Sequence, residues 1–554
     1  MASMRGLMQQ DPLILTRILE RARTLSPRIQ VATRTPEGMH RETYADVGER
    51  SARLANALRD LGVGPGDRVG SFGWNSWRHL ELYFAVPCMG SVLHTLNIRL
   101  HPEQVAWIAN HAEDRVVCVD ASLLPVFAKV LPELETVRQI VLMGRPAEGV
   151  ALAGSIDYEE LLDAASPEFE WPELDENDAC SMAYTSGTTG NPKGVVYSHR
   201  SMVLHAFMAN QAGVLAIEPN DVVMPVVPMF HANAWGTPYA AAMAGAKLVF
   251  PGQYSADPAA LAELIETERV TFTAGVPTVW IGLLQHLEQH PTDLSSLRSI
   301  TAGGAAVPRS MIEAFATRHG VEVWQGWGMT ETGPLASLSR LTPAHADLPE
   351  AERIRVRAKQ GLVVPGIRVR VVDVATGEEV PWDSKTMGEV QVKGNWVASA
   401  YYRPDAPVEQ FVDGWLRTGD VAVVDEHGFL QLVDRTKDLV KSGGEWISTI
   451  ELESALMGHP ALLEAAVIAV PDERWSERPL ACVVLKPDAE ATEEELIEFI
   501  APQFAKWWLP DRVEFVSEIP KTSVGKFDKK VLRAQHHGLF EGSGPGPAGI
   551  SPSE

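Results

Sequence analysis

Residues 184–200 read Y-T-S-G-T-T-G-N-P-K-G-V-V-Y-S-H-R, and this stretch decides the fold. Gly187, Gly190 and Gly194 alternate with the hydroxyls of Thr185, Ser186, Thr188 and Thr189, and Lys193 stands among them. Glycine tolerates positive φ and lets the backbone come close to a ligand, so such a run can wrap N–H groups and hydroxyls around an anion. Apolar runs at 180–184 and 195–197 flank it, which predicts two short strands joined by a glycine-rich loop rather than a surface linker. The loop reads as a polyphosphate cradle of an uncommon kind. The pattern G-x4-G-K-[ST] needs a second glycine where this chain has Pro192 or Val195. Proline there would also remove an N–H that a phosphate requires.

The 554-residue chain exceeds what one hydrophobic core serves, so a large domain with at least one more is expected. With 45% apolar and 22% charged residues it reads as an ordinary globular protein. A formal net charge of -24 and a pI near 5.1 offer no basic field for nucleic acid or an anionic membrane surface. Cys88, Cys118, Cys180 and Cys482 are far apart and form no C-x-x-C, which argues against a disulfide framework or structural zinc and fits a reducing cytosol. The first residues, M-A-S-M-R-G-L-M-Q-Q-D-P, lack the apolar core of a signal peptide. Residues 222–246 carry no Asp, Glu, Lys or Arg and are long enough to span a bilayer. Pro225, Pro228, Pro238, His231 and Asn233 oppose a lipid-facing helix, so strand, loop and helix buried in the protein are expected instead, with no transmembrane segment.

Helical periodicity marks 13–22 and 44–61, the latter with a stripe of Ala52, Leu54, Ala55, Ala57, Leu58 and Leu61. Short β-rich runs at 68–72, 116–119, 139–142, 247–250 and 271–274 alternate with helices, the pattern of layered sheets covered by helices. From 366 to 392 the pattern changes to short strands (367–372, 388–392), a small β-subdomain before the G-D-V-A turn at Gly419. After Asp434 a compact α+β module is expected, with helices at 450–457 and 493–504 and strands at 465–470 and 481–485. Residues 541–554 read as a disordered tail.

Y-T-S-G-T-T-G-x-P-K-G resembles the phosphate-loop signature of the adenylate-forming superfamily, which holds acyl- and aryl-CoA synthetases, peptide-synthetase adenylation domains and luciferases. The resemblance extends from about residue 15 to about 530, through separate motifs in family order. It implies an α/β fold with a large N-terminal domain at 1–433, a smaller mobile C-terminal domain at 434–540 turning about Asp434, and ATP, Mg2+ and coenzyme A as ligands. It places Thr185, Ser186, Gly187, Thr188, Thr189, Gly190 and Lys193 around the phosphates. G-W-G-M-T-E-T-G-P at 326–334 resembles the second signature, which implies Glu331 on the ATP-bound Mg2+ with Thr185 assisting, and Trp327 on the adenine face. A hard carboxylate suits Mg2+, and an indole offers a stacking surface. Gln325, Gly326, Gly328, Met329 and Thr330 belong to the same nucleotide wall.

T-A-G-G-A-A at 301–306 borders base and acyl chain in the family, which brings in Gly303, Gly304 and Ala305. W-L-R-T-G-D at 415–420 supplies Asp420 for the ribose hydroxyls, with Arg435 as companion. K-D-L-V-K-S-G-G-E-W-I-S at 437–448 is similar to the loop that swings in for thioester formation, which implies roles for Lys441, Gly443, Gly444, Glu445 and Trp446 beside phosphate and pantetheine. I-P-K-T-S-V-G-K at 519–526 implies Lys526 as the catalytic lysine between the substrate carboxylate and the α-phosphate. An ammonium there offsets the repulsion of two anions while charge builds on the phosphate. The F-D-K-K run that follows has the look of an exposed, charged segment.

M-F-H-A-N-A-W-G-T-P-Y-A at 229–240 has no Asp after the Phe to pair a substrate amine, and an uncharged pocket suits an apolar acid. With F-A-K-W-W-L-P at 504–510 it resembles the bacterial medium- and long-chain fatty acyl-CoA synthetases. That resemblance puts Trp235 at the entrance of an acyl tunnel, where it moves when ATP binds, His231 at the carboxylate end, and Asn233 beside them. The group that activates 3-methylmercaptopropionate is close in pattern, and the motifs do not separate the two. The expected enzyme is a cytoplasmic, homodimeric fatty acid–CoA ligase working through acyl-AMP. Adenylation for a carrier protein, a luciferase-like oxygenase and a silent nucleotide binder are the alternatives. No carrier-domain G-G-x-S block follows residue 530.

Overall fold

The structure is a computed structural model that describes residues 4, 6–146, 152–185, 191–374, 376–435, 438–442, 445–472, 474–522 and 527–536. Ser186, Gly187, Thr188, Thr189, Gly190, Gly443, Gly444, Lys526 and the tail at 541–554 lie outside the described residues. Two compact units emerge: one holds 1–304, 311–370 and 391–417, the other 305–310, 371–390 and 418–554.

The first unit is built on two large sheets. One has seven strands in the order Ile156–Asp157, Gln139–Met143, Asp114–Asp120, Arg68–Phe72, Val92–Thr95, Ala179–Thr185, Lys193–Ser198, parallel except for the last pair. That antiparallel pair is the hairpin foreseen on either side of the glycine-rich loop, with Thr185 opposite Lys193. The other sheet has nine strands, its centre the parallel series Glu322–Gly328, Ser299–Gly303, Phe272–Gly275, Val222–Pro225, Lys247–Phe250. Parallel strands buried on both faces read as short apolar runs, which is why short β-rich runs rather than polar alternation located them.

Helices cover these sheets. Tyr44–Asp60 begins at a capping box in which Thr43 accepts from Asp46 N and the Asp46 carboxylate reaches back to Thr43, and Ala52, Leu54, Ala55, Ala57 and Leu58 are buried on its inner stripe. The uncharged stretch at 222–246 divides into the strand Val222–Pro225, a turn at Ala232–Gly236 and the helix Thr237–Ala244, largely buried. Among the described residues no helix is long and apolar enough to cross a membrane.

A five-stranded sheet includes Ile367–Val372, Gly388–Gly394 and Trp415–Val424, and Leu430–Arg435 pairs with the last of these. In the second unit, Leu462–Asp472 and Ser476–Leu485 form a long antiparallel pair with Val440–Ser442, Glu445–Ile447 and Arg512–Phe515 beside it. Alternation with period two splits this pair between two cores. Ala465, Val467, Ala481 and Val483 pack with Leu452, Leu496 and Ile500, while Ala466, Ile468, Leu480 and Cys482 pack with Ile519 and Leu532. The helix expected at 493–504 stops at Ile500 and becomes a 3-10 turn at Ala501–Gln503, because Pro502 has no N–H with which to continue the α ladder.

Candidate functional site

In the first unit, the hairpin brings Thr185 to the end of its strand and starts the return strand at Lys193. Glu331 lies on the short 3-10 turn Thr330–Thr332 that follows the strand Glu322–Gly328. Gly328 is required at the bend: a Cβ there would meet Pro334 O at 1.8 Å. The turn is fixed from three sides. Tyr197 OH donates to Thr330 O at 2.7 Å, Thr332 Oγ1 accepts from Met329 N at 2.9 Å, and Ala398 N donates to Glu331 O at 2.7 Å. Glu331 is only 5% exposed, and its Oε1 accepts from Tyr401 OH at 2.6 Å. Lys193 Nζ stands 4.9 Å from the centre of the Tyr401 ring. Gln325, Trp327 and Thr330 are buried beside these groups in the same segment, with Gly326, Gly328 and Met329 partly exposed.

The residues expected on the acyl side sit on a left-handed turn. Ala232, Asn233, Ala234 and Trp235 all have φ between 43° and 56°, and Gly236 follows at 72°. Asn233 is fully buried, and its Oδ1 accepts from Ser181 Oγ at 3.0 Å, which ties the turn to the strand leading into the glycine-rich loop. His231 and Trp235 are half-buried. A Cβ on Gly303 would lie 3.1 Å from Trp235 Cη2 and 2.6 Å from Gly326 O, so the bare backbone there is what lets the indole lie against the sheet. Gly304 ends the first unit's run at this point, and Ala305 is grouped with the second.

In the second unit, Asp420 and Arg435 are register partners on adjacent strands and form an ion pair of 3.2 Å. Asp434, beside them, is 3% exposed. Its carboxylate accepts from Arg435 N at 2.8 Å, Thr449 N at 2.9 Å and Thr449 Oγ1. Lys529 Nζ donates to Thr449 Oγ1 at 2.6 Å and pairs with Glu453 at 2.7 Å, and Glu453 also accepts from Val467 N at 2.7 Å. Burial pulls the Lys529 ammonium down, but Glu453 and Asp434 outweigh it and hold the ammonium above its ordinary value. Lys441 Nζ lies 4.8 Å from the Trp446 ring, which is exposed, and Lys441 N donates to Glu477 at 2.8 Å; Glu445 begins the short strand that pairs with Lys441's.

Sequence reasoning had no part for Tyr401, Tyr197, Ser181 or Lys529. Tyr401 had a visible signal in the doublet Tyr401-Tyr402, but nothing local says that one phenol reaches a turn 70 residues earlier in the chain.

The profile of the AMP-binding enzyme family matches residues 20–402, and that of the AMP-binding enzyme C-terminal domain matches 451–526. A long-chain-fatty-acid–CoA ligase of Thermus thermophilus is 49% identical over 539 residues, covering 97% of this chain and 98% of that protein. A 3-methylmercaptopropionyl-CoA ligase of Ruegeria lacuscaerulensis is 43% identical over 542 residues, covering 97% of this chain and 100% of that one. The crystal structure of an anthranilate CoA ligase in complex with anthranoyl-AMP superposes with a TM-score of 0.84 at 27% identity, covering 95% of this chain and 98% of that one. The layered α/β fold with a smaller C-terminal α+β part is the one expected from the motifs. The chain belongs to the AMP-binding enzyme family.

Proposed function

We propose that this chain is an AMP-forming acid–CoA ligase that activates a medium- or long-chain fatty acid. A carboxylate oxygen attacks the α-phosphorus of ATP while the bond to the bridging β-oxygen breaks, giving acyl-AMP and pyrophosphate. The CoA sulfur then attacks the acyl carbon, AMP leaves with the electron pair of the anhydride bond, and the thiol proton passes to solvent. The packing of Trp235 against bare backbone at Gly303, inside a 25-residue stretch without formal charge apart from histidine, carries the fatty-acid reading. The named activities of the Thermus and Ruegeria relatives support CoA as acceptor.

Glu331 and Thr185 offer oxygen donors, the class that Mg2+ prefers. Among the described residues no cluster of three or more His, Cys, Asp or Glu could form a protein cage, which fits a metal brought in on the triphosphate. When bound, Mg2+ neutralises phosphate charge. The chain's own residues do the rest in this reading: Ser186 to Gly190 and Lys193 hold the phosphates, Asp420 and Arg435 the ribose, and Lys526 the developing charge at α. Residues 1–433 are read as the domain of ATP and acid, and 434–540 as the mobile one, turning about Asp434. Four buried free cysteines fit a cytoplasmic setting, and a homodimer is part of the same reading.

Lys526→Ala is expected to depress acid-dependent ATP–pyrophosphate exchange about 10²–10³-fold while supplied acyl-AMP still reacts with CoA. Equal loss of both half-reactions refutes the assignment. Running the wild-type exchange assay with C4 to C18 acids and 3-methylmercaptopropionate decides the acid, and preference for the short thioether acid overturns the fatty-acid reading.

A further inference from the structure

Residues 398–405 form a strap that touches both arms of the triphosphate site within the first unit. Ala398 N holds the backbone of Glu331, and Tyr401 OH holds its side chain. Tyr402 N donates to Gly194 O at 2.8 Å, and Asn191 Nδ2 donates to Asp405 at 3.1 Å, so the same strap grips the start of the return strand on either side of Lys193. Tyr401 is the point where the two arms meet: its hydroxyl is on Glu331 and its ring faces the Lys193 ammonium at 4.9 Å. Phe411, 5.3 Å away with its ring steeply inclined, backs the phenol, and only 9% of Tyr401 is exposed.

Resting on the adenylating reading above, we propose that Tyr401 is a positioning residue that sets the Glu331 carboxylate and the Lys193 ammonium in register for the metal-bearing triphosphate. A carboxylate with one oxygen engaged by a buried phenol has a fixed plane, so its other oxygen faces one direction. An aromatic face attracts an ammonium without neutralising it as a carboxylate would, so the Lys193 charge stays available for phosphate. Hydroxyl and ring thus act on different arms, and substitution separates them. Tyr401→Phe removes only the hydroxyl. Tyr401→Leu removes both.

The test is Mn2+ binding, followed by electron paramagnetic resonance in the presence of a non-hydrolysable ATP analogue, alongside analogue affinity in EDTA measured by calorimetry. Tyr401→Phe should weaken Mn2+ in the ternary complex about 10-fold and leave metal-free analogue affinity within about twofold, since lost outer-shell partners cost that order in metal affinity. Tyr401→Leu should weaken both. Wild-type Mn2+ affinity in Tyr401→Phe, or an equal loss of metal-free affinity in the two variants, overturns the positioning role and leaves the adenylating reading standing. Wild-type protein that takes up no Mn2+ with the analogue overturns that reading, and this proposal with it.

Discussion

A single missing side chain governs the packing around Trp235, the proposed acyl end of the site. Gly303 stands opposite Gly326 on neighbouring parallel strands, and an added Cβ would fall 2.6 Å from the Gly326 carbonyl, closer than real Cβ contacts come. The obstacle is backbone in mid-sheet, so it cannot swing aside as a flexible side chain could. Gly303→Ala should therefore lower stability by about 1–3 kcal/mol, the usual cost of overpacking, and displace the Trp235 ring. Denaturant unfolding and the KM for acid check it: a higher acid KM with an unchanged ATP KM is expected, and wild-type values of both stability and acid KM would refute it. The string T-A-G-G-A-A announced a stretch of small residues. It could not say which glycine was indispensable, because that depends on a carbonyl 23 positions further along the chain.

At the scale of elements, hairpins and capped helices were legible where the signal is local. The strands around the glycine-rich loop, the helix after Thr43 and the strand expected at 465–470 within Leu462–Asp472 all follow from neighbours in sequence. The helix Lys529–His536 was not, and the reason is Lys529. Its place in F-D-K-K reads as surface, yet its largely buried side chain reaches Glu453 and Thr449, feels the charge of Asp434, and pins that helix to the helix Thr449–Leu456 and to the proposed hinge. Removing one member of a buried charged cluster leaves the others unpaired. Lys529→Met is expected to destabilise the second unit by about 3–5 kcal/mol, with Lys529→Arg recovering part. Hydrogen exchange at amides of 449–456 measures this, and unchanged protection in Lys529→Met would contradict the anchoring role.

For the whole molecule, the α/β class and the order of ligand motifs were written in the chain, but the grouping of 305–310 and 371–390 with the C-terminal part was not, since no linear boundary expresses it. A buried charge network in the first unit was equally hidden. Arg50 contacts Glu81 at 2.5 Å, Glu159 at 2.8 Å and Glu42 at 3.8 Å, and Tyr158 OH donates to Glu81 at 2.5 Å. Burial pushes both Glu42 and Glu81 up to about 8. Arg50 and Tyr158 contacts offset part of that rise at Glu81, while at Glu42 the charges of Asp46 and Glu159 oppose those of Arg50 and Arg78. The folded value of Glu42 lies above the unfolded 4.5, so the stability this group contributes is complete below pH 4.5 and is lost as pH rises from there through about 8. This group's contribution to the melting temperature should fall between pH 4.5 and about pH 8 and level off above it, and Glu42→Gln should flatten that fall; parallel profiles for the two proteins would rule this out.

The left-handed turn at Ala232–Trp235 couples the two large sheets of the first unit. An L-residue in that region costs about 1–2 kcal/mol, so four in succession form a shape that this segment does not seek by itself. It is imposed from outside, by Ser181 on one sheet and by the open strand at Gly303 on the other. Its shape therefore depends on both sheets at once, and loosening either one frees the strained backbone that carries Trp235.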